Sequence, residues 1–199
     1  MKKLTITLIC LFLIAMASQA QETGTFTDKR DGKTYKTIKI GKQLWMAENL
    51  AYTNEDGGIY AVSYNDDENI SAKYGKLYSL GVLTEFKGCP ESWSLPTSAD
   101  YEALMKYFGN DLSKLVGTMQ IKFSGDYNQY GSNGLDSFTK FWTSTITDHE
   151  DYVDYDAETK KLISKGFTIF KEDNNYTYKW DPLCSLDAGE SYSVRCVKK

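Results

Sequence analysis

The sequence predicts an α+β domain: mostly antiparallel strands, one or two short helices, and long loops between them. Three observations lead there. Fifteen tyrosines, nine phenylalanines and four tryptophans in 199 residues tilt the composition toward strands. Short apolar–polar alternations recur between clusters of Gly, Asn and Asp, the pattern of strands and turns. One stretch alone, beginning at Thr97, combines a capping pattern with the 3.6-residue periodicity of a helix.

The first twenty residues read as a cleaved signal peptide. Lys2 and Lys3 form a positive head, Leu4 to Ala17 an apolar run broken by two threonines, and Ser18-Gln19-Ala20 a small-residue cleavage site. The run falls short of the roughly 20 apolar residues that span a bilayer. Cys10 lies inside it without small residues just before, so it is not read as a lipidated cysteine. The expected protein is exported, to the periplasm, the cell surface or the medium. No later stretch is apolar enough to be a transmembrane segment.

Residues 21–199 then suit one domain. Loss of the two leader lysines leaves 21 basic against 27 acidic residues, a formal charge of −6. That balance argues against nucleic acid as a partner, which would call for a basic face. A single histidine, His149, excludes multi-histidine metal centres and leaves a serine–histidine triad only if His149 serves it.

In chain order, "QETGTFTDKRDGKTYKTIKIGKQLWMAENL" (21–50) reads as strands joined by turns at Asp31-Gly32 and Gly41-Lys42. Ile38 and Ile40 alternate with Thr37 and Lys39, as in a half-buried strand. Residues 53–73, with Asp56-Gly57-Gly58 and the polar run "NDDEN" (65–69), read as a surface loop. Thr97 with Asp100 three residues later predicts a helix beginning at about Ser98. Its buried stripe is Tyr101, Leu104, Met105 and Phe108, and Gly109 is its left-handed terminator. A second short helix is expected over residues 111–116, with Leu112, Leu115 and Val116 inward. From Gly117 a long irregular loop follows, "FSGDYNQYGSNGLDSF". Then come strands in "FWTSTIT", "YVDYD", "LISKGFTIF", "NYTYKW" and "SYSVRCV", the last with Tyr192, Val194 and Cys196 on one face and Arg195 on the other.

Five stretches, "DGKTYKTIKIGKQLWMAENL", "YGKLYS", "CPESWSLPTSADYEAL", "FWTST" and "SYSVRCV", occur in an order that resembles the Fibrobacter succinogenes major paralogous (FISUMP) domain family. The resemblance spans about residues 25–199. It implies an exported or surface-attached bacterial protein without an established biochemical role. The Trp-x-Leu-Pro-Thr helix start also looks like that of C-type-lectin-like folds and of the formylglycine-generating enzyme, a fold-level analogy. It implies a single C-type-lectin-like domain. The chain departs from the family at one place: Ser63 and Ile70 stand where many members carry cysteines flanking the acidic loop. The loop from Asn54 to Lys73 is therefore expected to lack a local staple and to be more mobile.

Cys89, Cys184 and Cys196 remain after export into an oxidising compartment. The family pattern implies a structural disulfide between Cys89 and Cys196. Cys184 is then left over, free and buried, or pairs with Cys196 instead. Catalysis is not expected: Cys184 and His149 form no recognisable motif. The cysteine spacing also does not match the close pair of the formylglycine-generating oxidases, which remain a distant third reading. No metal or other cofactor is expected. Asp66-Asp67-Glu68 and the cluster Asp148, Glu150, Asp151, Asp154 and Asp156 both lack calcium-loop spacing. The aromatic residues Tyr60, Tyr64, Tyr127, Tyr130, Tyr178 and Trp180, with Tyr176, sit among Gly, Asn and Asp. They are the expected ligand-binding residues, stacking on sugar rings or forming a protein-binding face; cross-strand packing is the competing role for such tyrosines. The expected function is an exported, non-catalytic binding module for a polysaccharide or a cell-surface partner protein. The alternative is a structural component of the envelope.

Overall fold

A computed structural model of the chain describes residues 21–54, 61–85, 88–147, 163–173, 175–184 and 190–199. The expected signal peptide, Tyr60, His149, the "YVDYD" strand and the second acidic cluster lie outside them.

Two sheets and a small hairpin carry the fold. The first sheet has the order β1-β2-β3-β12, from β1 (Thr23–Thr27), β2 (Thr34–Ile40), β3 (Gln43–Met46) and β12 (Val197–Lys198). The second has the order β10-β9-β7-β11-β4, with β8 paired to β9. Its strands are β4 (Leu77–Tyr78), β7 (Phe138–Phe141), β8 (Ile146–Thr147), β9 (Ile163–Glu172), β10 (Asn175–Cys184) and β11 (Tyr192–Ser193). Pairing is antiparallel throughout both sheets except between β7 and β11. The α+β class, mostly antiparallel with short helices, is therefore the one observed.

The first sheet divides two cores. Ile38 and Ile40 lie on the same side as Trp45 and Val197, in a core completed by Phe141, Phe167 and Ile169 of the second sheet. Tyr35 and Met46 face the other way, into a core with Tyr78, Trp142, Tyr192, Val194 and Cys196. This corrects the expectation of a half-buried β2: Thr37, placed on its solvent side, is 5% exposed. Alternation identifies a face, and burial of both faces depends on what packs against them.

The predicted helix is present as α3 (Ser98–Tyr107), after two helices the sequence reading did not anticipate. The side chain of Thr97 accepts from the Asp100 amide and the Asp100 carboxylate accepts from the Thr97 amide, a reciprocal capping box. Tyr101, Leu104, Met105 and Phe108 are buried as expected. Gly109, at φ +65°, donates to the Lys106 carbonyl and ends the helix. The second predicted helix, α4 (Leu112–Thr118), is capped by Asp111 and buries Leu115 and Val116.

Two segments depart from the expected loops, and a third, with no element expected from the sequence, is helical. In the polar segment 53–73 a 3-10 turn (Tyr64–Asp66) leads into α1 (Glu68–Tyr74), because Asp67 accepts from the Asn69 amide and caps it. A further helix, α2, covers Leu80–Glu85. The glycine-rich stretch after Gly117 folds back as a hairpin, β5 (Asp126–Asn128) on β6 (Gly131–Asn133). Each is only one or two turns or three residues long, too short for periodicity to reveal.

Candidate functional site

The loops on one side of the domain are tied to one another by backbone donors. The Asn65 amide donates to Ser132 Oγ at 2.8 Å, and the Leu135 amide to the Tyr64 hydroxyl at 3.3 Å. Tyr74 Oη donates to Asp136 Oδ1 at 2.8 Å, while Lys73 Nζ donates to that same tyrosine oxygen at 2.9 Å. The 3-10 turn, α1 and the β5–β6 hairpin therefore hold each other in place. Tyr127 is fixed from below by paired backbone bonds with Ser191 (3.1 and 2.8 Å). At the hairpin tip the Tyr130 amide donates to Asn128 Oδ1, and the residue is 86% exposed.

Three of the expected binding aromatics, Tyr64, Tyr127 and Tyr130, are thus gathered at one place, with Asn65, Asn128 and Asn133 among them. The other two lie on the edge strand β10. Tyr178 and Trp180 share a face and both lean on Phe167, with ring centroids 5.5 and 5.0 Å away. Trp180 is half-buried beneath Lys165, whose Nζ is 4.8 Å from the ring, and Tyr178 keeps 43% of its surface. Tyr176, farther along the same face, stacks on Phe123. On β10 the aromatics extend the core, and the hairpin side is the more open platform.

Ser63, one of the two positions where the family resemblance implies a cysteine, belongs instead to a polar clamp. Ser63 Oγ donates to Glu68 Oε1 at 2.7 Å, and Lys76 Nζ donates to both Ser63 Oγ (2.9 Å) and Glu68 Oε1 (2.7 Å). Hydrogen bonds from Lys76 and Ser63 hold the Glu68 carboxyl below its usual range. The segment is therefore fastened without a disulfide. Of the acidic run, Asp67 caps α1 and Glu68 serves this clamp. Among the described residues no group of three His, Cys, Asp or Glu is placed to hold a metal ion.

Beneath the loops lies a buried polar pair that the sequence reading missed in part. Arg195 is 1% exposed, and Asn49 Oδ1 accepts from its Nε (3.1 Å) and Nη2 (2.9 Å) while the Met119 carbonyl accepts from Nη1 (2.6 Å). Burial pushes the guanidinium pKa down to about 10, so it remains charged at neutral pH. Arg195 is thus a structural hydrogen-bonding residue. Asn49 was not singled out. The only signal for it is that a buried arginine needs oxygen partners from elsewhere in the chain.

The disulfide joins Cys89 to Cys196, with Cα atoms 5.9 Å apart. Ser94 and Val197 exchange two backbone hydrogen bonds beside it. Cys196 is thereby unavailable to Cys184, which closes the alternative pairing. Cys184 ends β10, opposite Ile163. Among the described residues no helix is long and apolar enough to cross a membrane.

The recurring motifs converge on the core. Trp142 of "FWTST" donates from Nε1 to the Tyr78 carbonyl of "YGKLYS" at 2.6 Å, and its ring centroid is 4.7 Å from that of Tyr192 in "SYSVRCV". No curated protein and no solved structure matches the chain. Residues 38–120 match the Fibrobacter succinogenes major domain, the family that the motifs resemble.

Proposed function

We propose that this protein is an exported, non-catalytic binding module. It recognises a polysaccharide or a cell-surface partner protein through the loop platform of Tyr64, Tyr127 and Tyr130. The observation that carries the reading is Tyr130, a residue 86% exposed at a hairpin tip whose turn is fixed by Asn128. A large apolar ring held in solvent beside amide side chains suits stacking on a sugar ring or a protein surface. The disulfide supports export, since such bonds persist in oxidising compartments.

A second reading, a structural component of the cell envelope, draws on a different feature. β10 is a ten-residue strand at the edge of its sheet, and an open edge can accept a strand from another chain.

Retention on a panel of plant and bacterial polysaccharides, with and without chelator, tests the first reading. Retention on one polymer that is lost in Tyr130→Ala, with an unchanged Tm, supports it. Absence of retention on every polymer, with self-association or cross-linking to envelope proteins, supports the second.

A further inference from the structure

A cleft of about 340 Å³ opens between α1, β2 and the segment after α4. Its wall is basic in a chain that is acidic overall. Lys33, Lys36, Lys73 and Lys122 line it, and Glu48 is the one carboxylate among its lining residues. Lys33 donates to the Ala51 carbonyl and Lys73 to the Tyr74 hydroxyl, each leaving further ammonium protons for a ligand. Among the described residues none of the four is ion-paired to a carboxylate. Elsewhere seven lysines are so paired, while Lys29, Lys42, Lys106, Lys171 and Lys198 have no such pair among the described residues either, so it is the gathering of the four on one wall that sets them apart.

Two further observations point to an anion. Asn49 belongs to the lining, and its side-chain oxygen is the acceptor for buried Arg195, so a fifth positive charge stands directly behind the wall. Ser71 also lines the cleft. It is 3% exposed, and its hydroxyl has no hydrogen-bond partner. A buried hydroxyl left unsatisfied is unusual in a packed protein and suits a site completed by a ligand.

We infer that this cleft binds an acidic polysaccharide, taking uronate carboxylates on its lysines and sugar hydroxyls on Ser71 and the neighbouring amides. The inference rests on the polysaccharide reading above and narrows it to a charged glycan. Unpaired ammonium groups around a concave wall favour a repeating anion, through charge-assisted hydrogen bonds and attraction over a Debye length of about 8 Å at physiological salt.

The test is titration of the whole protein with polygalacturonate, with its methyl ester, with a neutral glucan and with polyglutamate. Binding of polygalacturonate is expected, weakened by salt and by esterification. Lys36→Glu with Lys122→Glu should lower the affinity about tenfold or more, while Lys106→Glu with Lys198→Glu, outside the cleft, should not. Ser71→Ala should weaken binding at an unchanged Tm. Equal binding of the methyl ester or of the neutral glucan overturns the charged-glycan inference and leaves the polysaccharide reading standing. Binding of polyglutamate without polygalacturonate overturns both in favour of a protein partner, and binding of none of the four overturns the inference.

Discussion

Asn49 holds Arg195 through a single amide oxygen that accepts two guanidinium hydrogen bonds, at 3.1 and 2.9 Å, across 146 residues of sequence. Among the described residues, every acceptor for this cation is neutral. The pair joins the end of the first sheet to the last segment of the chain, and the Met119 carbonyl adds the segment after α4. Arg195→Ala would leave two buried oxygens without donors and a cavity, at a cost of about 3–5 kcal/mol. Arg195→Lys should restore little, because an ammonium cannot reproduce the planar fork. Urea unfolding of the three proteins checks this; a lysine variant as stable as the parent would refute it.

The disulfide closes a loop of 107 residues between Cys89 and Cys196. Constraint of an unfolded loop of that length is worth about 4–5 kcal/mol at most. Cys89→Ser, or reduction, should therefore lower Tm markedly. The exchanged bonds between Ser94 and Val197 should keep the native strand order in the reduced protein. Thermal melts with and without reductant are the measurement, and an unchanged Tm would contradict it.

Gly75 ends α1 at φ +82° and ψ −176°, a conformation open essentially to glycine alone. A Cβ there would come within 2.6 Å of the Asn49 Cβ. Gly75→Ala should destabilise by about 1–3 kcal/mol, from strain before any shift of Asn49. Because Asn49 also carries Arg195, the effects of Gly75→Ala and Asn49→Ala should be non-additive in a double-mutant cycle. Simple additivity would separate the two sites.

Asp100 links the cap of α3 to β3 and to the chain's last residue. It accepts from Gln43 Nε2 at 2.7 Å and pairs with Lys199 Nζ at 2.9 Å. Burial raises its pKa, but hydrogen bonds from Lys199 and Thr97 outweigh that and hold it below the ordinary value. A carboxyl with a depressed folded pKa stabilises fully above its unfolded value of about 3.9 and loses that contribution as pH falls through the folded one. Stability should thus decline on acidification below about pH 4, and Asp100→Asn should flatten that decline. Denaturant midpoints at pH 7 and pH 3 give the answer, and identical acid losses in both proteins would remove Asp100 as a cause.

The polar clamp of Ser63, Glu68 and Lys76 fastens this loop without a disulfide. Glu68 is largely exposed, so the clamp is worth about 1 kcal/mol or less. Ser63→Ala should loosen residues 63–76 without unfolding the protein, visible as faster amide exchange in α1. Unaltered exchange there would leave the contacts to Ser132 and Asp136 as the main fastening.

The helix α3 was fully legible in sequence because its determinants are local: Thr97 and Asp100 are three residues apart, and its buried stripe repeats within two turns. The hairpin turn at Gly32 and the terminator Gly109 were legible for the same reason, each demanding a positive φ. The helix α1 was missed because a run of acidic and amide residues reads as solvent-facing loop until Asp67 is seen capping it.

For the candidate site the division is sharper. Sequence alone supplied the aromatic residues but could not say which of them meet. Tyr64 reaches Leu135 and the hairpin only through the folded chain, while Trp180 is taken up against Phe167. The basic cleft was illegible, since its lysines come from three separate segments: Lys33 and Lys36 at the start of β2, Lys73 in α1, and Lys122 after α4.

The α+β class, the cap and stripe of α3, and the motifs that place residues 38–120 in the Fibrobacter succinogenes major domain were set by the sequence alone, because each depends on residues a few positions apart. Only the tertiary structure decided that Asn49 would receive Arg195, that Ser63 would close a polar clamp, and that four lysines would share one wall. Those relations span up to 146 residues, and charge and hydrogen bonding act through space rather than along the chain.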